Sequence, residues 1–165
     1  MFRRSQVGGH SGGPERTRRV YRGILHLPLA IVAFSLAGCA TQLGAVANPS
    51  TPKATYQSAY LVVHGDRSAD MDAKLQRELL RHGLAVTIGP ENAPTGDAQL
   101  LVKYTDNWRW DIAMYLRTLD VMVYDAHSKA LVATGSWRNS ALHGFYSADK
   151  VVADVVDQTV GKLAK

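Results

Sequence analysis

The sequence predicts an α+β fold of two layers, and three observations carry the prediction. Short runs rich in β-branched and aromatic residues recur past residue 56. Two segments among them place apolar residues at helical spacing, with charged residues on the opposite side. The resulting order, β-α-β-β-β-α, suggests a mixed sheet with both helices on one face, which buries one stripe of each helix.

Ser58 to His64 is a buried strand, apolar and aromatic throughout. A helix follows from about Ser68, with Met71, Leu75 and Leu79 at helical spacing and Asp70, Asp72, Lys74, Arg77, Glu78 and Arg81 outside. Ser68 caps its start and Gly83 its end. Leu84 to Ile88 returns as a strand, giving a parallel β-α-β unit with a right-handed crossover. The segment Gly89 to Asp97 has turn chemistry throughout. Three strands are then expected, at Ala98 to Tyr104, Met114 to Tyr124 and Ala130 to Trp137. The last two form an antiparallel hairpin, with Leu119, Val121 and Val123 on one face and Thr118, Asp120 and Tyr124 on the other. A second helix runs from about Ser147, its stripe made of Val151, Val152, Val155, Val156, Val160 and Leu163. Valines restrict their rotamers in a helix, so this one depends on packing against the sheet.

The amino-terminal third has a different character. A Gly-rich, Arg-rich leader precedes the apolar stretch Ile24 to Ala37, which ends in Leu36-Ala37-Gly38-Cys39. Basic residues, an apolar segment and small residues in that order make an export signal. The apolar segment is interrupted by His26 and Pro28, and it is shorter than the roughly 20 residues that a membrane-crossing helix needs. Its last four residues resemble the lipobox of bacterial lipoproteins. That resemblance implies cleavage between Gly38 and Cys39, a diacylglycerol thioether on Cys39 and acylation of the new amino terminus. The covalent lipid is the only cofactor implied. In Gram-negative lipoproteins an Asp after the lipidated Cys retains the protein at the inner membrane. Ala40 in that place implies the periplasmic face of the outer membrane.

The leader is longer than such signals usually are. Either translation starts near Val20, which is the favoured reading, or Thr17-Arg18-Arg19-Val20-Tyr21 resembles a twin-arginine signal. The expected organisation is a signal peptide over 1–38, an anchored flexible tether over 39–55 and a globular domain over 56–165. The tether, small and polar with Pro49 and Pro52, would hold the domain ~20 to 25 Å from Cys39 as a flexible coil.

Charge supports this division. The chain carries 19 Lys+Arg and 14 Asp+Glu, but six arginines and Glu15 precede Cys39, leaving 13 of each sign in the mature part. A neutral body lacks the net positive face that phosphate neutralisation requires, so nucleic acid is not an expected partner. The single cysteine excludes a disulfide framework and a thiolate metal site. The expected partners are the membrane, through the lipid, and an envelope protein or glycan.

The candidate binding surface is aromatic: Trp108, Arg109, Trp110, Tyr115, Trp137 and Arg138. In extended backbone Trp108 and Trp110 share one face and Arg109 takes the other. Two readings follow, a platform for a glycan, lipid or partner, or rings that close the core. Catalytic patterns are poor. Asp106, Asp111 and His143, with Ser136 or Ser140 as nucleophile, are the nearest approach to one, and neither a nucleophile elbow nor a phosphate loop accompanies them. His64, His82, His127 and His143 stand apart and suggest no metal site. The sequence therefore reads as a non-enzymatic binding or assembly module. At fold level it resembles the small α/β domains of cell-envelope lipoproteins, including the group like the amino-terminal domain of the Tol translocation protein.

Overall fold

The structure is a computed structural model that describes residues 40–51, 54–64, 69–142 and 144–163. Its elements are β1 (Gln42–Ala47), β2 (Ser58–Val62), α1 (Ala69–Arg81), β3 (Ala85–Gly89), β4 (Leu100–Trp110), β5 (Met114–Asp125), β6 (Leu131–Arg138) and α2 (Ala148–Leu163). The expected α+β class with a mixed sheet is what forms, in the order β-β-α-β-β-β-β-α rather than β-α-β-β-β-α. The strands make one six-stranded open sheet in the order β1-β6-β5-β4-β2-β3. β2 is parallel to both β3 and β4, while β4, β5, β6 and β1 pair antiparallel in turn.

Both helices contribute to one core. Met71, Leu75 and Leu79 of α1 and Val151, Val152, Val155 and Val156 of α2 are buried in the same cluster. Its sheet side consists of Ala59 and Leu61 of β2, Leu100, Val102 and Tyr104 of β4, Leu116, Leu119, Val121 and Val123 of β5, and Val132, Ala133 and Trp137 of β6. The expected alternation of β5 therefore holds. Gly83 ends α1 at φ 82°. Its N–H donates to Leu80 O at 2.9 Å and that of Leu84 to Leu79 O at 3.3 Å, the paired bonds of a Schellman cap. Ser68, expected as the opposite cap, lies outside the described residues.

The tether expectation is corrected. Gln42–Ala47 is not loose chain but an edge strand paired along its whole length with β6, from Gln42↔Arg138 to Ala47↔Ala133. Its small residues are what the packing requires. Ala45 lies opposite Gly135, and a Cβ on Gly135 would come within 1.9 Å of Thr159 Oγ1 and 3.1 Å of Val155 Cγ1. α2 therefore approaches the sheet where side chains are smallest, and β1 is part of the floor beneath it. The chain that then crosses from β1 to β2 spans only 48–57.

β4 also extends beyond expectation. It continues past Tyr104 to Trp110 and forms a long hairpin with β5, with a register shift at Asn107/Trp108. β2 pairs with β4 only as far as Leu61↔Val102, so the hairpin projects well past the end of β2.

Candidate functional site

The projecting hairpin ends in exposed apolar residues. Trp110 is 74 %, Ile112 85 % and Met114 57 % exposed. Strand directions bring further residues to this end. β4 and β6 finish here, and β5 and β1 begin here, since Asn107 pairs with Thr118, Thr118 with Arg138, and Arg138 with Gln42. The loop from β6 to α2 adds Leu142, Phe145 and Tyr146, all exposed.

That loop is held by Asn139, which is buried. Its Nδ2 donates to Leu116 O at 3.1 Å and Gly144 O at 2.9 Å, and its Oδ1 accepts from Gly144 N at 3.1 Å. Arg117 donates to Ser140 O at 2.7 Å. Phe145 meets Tyr115 edge to face at 5.9 Å, and Tyr146 meets Trp137 likewise at 5.8 Å. The Tyr146 hydroxyl lies 3.1 Å from Thr41 Oγ1, so the loop is tied to the residue before β1.

The six expected binding residues do not form one surface. Trp137 is buried in the core beside Leu119. Trp108 is half-buried against the same core, and its Nε1 donates to Asp106 Oδ2 at 2.8 Å. Trp110 alone of the three is presented to solvent, so the shared tryptophan platform is corrected to one exposed ring and two packing rings. Arg109 pairs with Tyr115 across the hairpin, in the alternation opposite to Trp108 and Trp110. Arg138 Nη2 binds Asp120 Oδ1 at 2.9 Å. These belong to the sheet face away from the helices, together with Thr105, Asn107, Thr118 and Ser136. Part of that face, around Tyr60, Val62 and Leu101, is covered by Ala93 and Ala98 of the loop after β3. Lys103 reaches Glu91 of this loop, and the Lys103 ammonium holds the Glu91 carboxyl below the usual carboxylate range. From Thr105 to Arg138 the face is polar, with Thr105 and Asn107 exposed and Thr118, Asp120, Ser136 and Arg138 half-buried.

Gly38, Cys39 and His143 lie outside the described residues. Asp106 is engaged by Trp108, and Ser140 contributes its carbonyl to Arg117. Among the described residues no three His, Cys, Asp or Glu side chains converge on a metal position. Asp72 and Glu78, expected on the outer face of α1, are buried instead, and Asp72 belongs to a polar cluster under the end of β2. Buried Asp72 accepts from the Tyr104 hydroxyl and from His64 N at 3.2 Å, and the His64 ring stacks on Tyr104 at 4.3 Å. With its carboxylate used this way, Asp72 fastens α1 to the sheet. At the far end, where β2 and β3 begin, a groove of about 330 Å³ is lined by Tyr56, His82, Leu84, Val160 and Leu163. Burial, with Asp125 nearby, pushes the Tyr56 phenol up. Its lining converges on no catalytic set.

No family model and no curated protein matches the chain. Solved structures do. The chain is similar to a PelC dodecamer from Paraburkholderia phytofirmans, at 13 % identity and a TM-score of 0.53, covering 76 % of this chain and 98 % of that one. A second PelC dodecamer from the same organism gives 14 %, 0.52, 74 % and 98 %. TolB from Acinetobacter baumannii is similar at 14 % identity and a TM-score of 0.41, over 73 % of this chain and 31 % of that one, a score that carries no argument. The PelC likeness establishes a shared fold.

Proposed function

We propose that the chain is a lipid-anchored cell-envelope protein, cut before Cys39 and acylated there, whose folded part is a non-catalytic binding or assembly module. The anchoring reading is supported by the order of leader, apolar segment and lipobox. Several acyl chains on one residue hold a protein stably without a basic patch, in keeping with the neutral charge of the mature part. By the same lipobox reasoning the module stands at the periplasmic face of the outer membrane.

The single observation that carries the module reading is the polar sheet face. Thr105, Asn107, Thr118, Asp120, Ser136 and Arg138 form a polar surface across three strands, on the face away from the two described helices. Such a surface offers many side-chain hydrogen-bonding groups at fixed spacing, suited to another envelope protein. Photo-crosslinking residues placed at Thr105 and Asn107 of the membrane-bound protein should give a discrete protein adduct, and Thr118→Arg should suppress it. Adducts absent from both positions, in protein that labels with palmitate, would refute the module and leave the anchor intact.

A further inference from the structure

We infer that the sheet end carrying Trp110, Ile112 and Met114 is a membrane-docking surface that enters the bilayer interface beside the acylated Cys39. The inference rests on the anchoring reading and adds an orientation to it.

Register supplies the geometry. Gln42, Arg138, Thr118 and Asn107 stand level across four strands. Trp110 lies three residues beyond Asn107 on β4, which at strand rise places it ~10 Å past that level. Cys39 lies three residues before Gln42, and an extended chain of that length also reaches ~10 Å. Since β1 runs away from this end, the preceding residues leave the sheet on the hairpin's side. Thr41 is held here by Tyr146. A lipid on Cys39 and the tip of the hairpin can therefore reach the same plane, with only Ala40 and Thr41 between Cys39 and β1.

The chemistry of the tip fits a lipid surface. Trp110, Ile112 and Met114 are apolar and mostly exposed, whereas a water-facing hairpin turn is normally polar. Tryptophan favours the boundary between headgroups and acyl chains because its ring is apolar and its indole N–H is polar. Arg109, exposed beside Trp110, extends its cation to headgroup level when the tip is immersed. Leu142 and Phe145 widen the same end. With the end so placed, the strands stand across the membrane plane and the polar face looks sideways along it.

The test uses the full-length chain, recovered with its lipid and reconstituted in phosphatidylethanolamine and phosphatidylglycerol vesicles, with or without bromine on the acyl chains. Tryptophan emission is compared between wild type and Trp110→Phe, the difference reporting Trp110. Palmitate labelling is followed in the same preparation. Docking predicts label in the protein, a Trp110 contribution shifted to the blue and quenched by brominated lipid, and loss of that quenching in Ile112→Asp. Label with an unquenched, red Trp110 contribution overturns docking while leaving the anchor standing. A blue contribution indifferent to bromine means that a second copy covers the tip, and it overturns docking too. Absence of label overturns the anchoring reading and docking with it.

Discussion

At the scale of single residues, two positions hold the folded part in ways that side-chain character alone does not announce. Gly135 is buried under α2, and a methyl group there would collide with Thr159 and crowd Val155. Gly135→Ala should lower stability by ~1 to 3 kcal/mol, the range for overpacking a close contact, read as a lower urea midpoint with unchanged slope. Asn139 binds Leu116 and Gly144 through one buried amide. Asn139→Ala should cost ~1 to 3 kcal/mol by stranding buried partners, and should make the loop before α2 more sensitive to protease. Neither residue stands out in the sequence, because a glycine's role depends on what lies above it and an asparagine's on carbonyls brought from elsewhere. The tryptophans show the same limit. That Trp108 and Trp110 share a face follows only once the chain there is extended, and the depth of each ring depends on where α1, α2 and the hairpin end.

At the scale of elements, strongly periodic segments were legible and the weakly periodic ones were not. The valine stripe of α2 and the alternation of β5 each name a buried face directly. β1 does not, since Gln42-Leu43-Gly44-Ala45-Val46-Ala47 has little intrinsic preference and becomes a strand through pairing with β6. The outer half of β4 reads as polar and aromatic, and only pairing with β5 across the register shift keeps it extended. Between the helices the link is ionic. Arg77 Nη2 lies 2.6 Å and Lys74 Nζ 3.3 Å from the Asp149 carboxylate. The Arg77 and Lys74 bonds hold the Asp149 carboxyl below its ordinary value. A carboxylate lowered on folding stabilises the fold at pH above its unfolded value of about 4. That contribution disappears as pH falls through the folded value. The stability lost in Asp149→Asn should therefore be constant above pH 5 and shrink towards zero in more acid solution, as followed by urea titrations at successive pH. Because the pair is exposed, added salt should reduce the difference as well.

At the scale of the whole molecule, the fold class was legible and the standing of the domain relative to its proposed anchor was not. Composition along 40–55 suggests a spacer, whereas the sheet recruits its first half and brings the globular part to within three residues of Cys39. In the account proposed here, a neutral domain is kept at the bilayer by acyl chains and turned by its apolar hairpin tip. Membrane association should therefore survive a wash in molar salt, which screens charge attraction, and yield to detergent. The most direct measurement is the mass of the amino-terminal peptide of protein extracted from native membranes. This peptide should begin at Cys39 and carry the added mass of diacylglycerol and an amide-linked acyl chain. An unmodified Cys39 still joined to Gly38 in the membrane-bound protein would contradict the proposed anchoring.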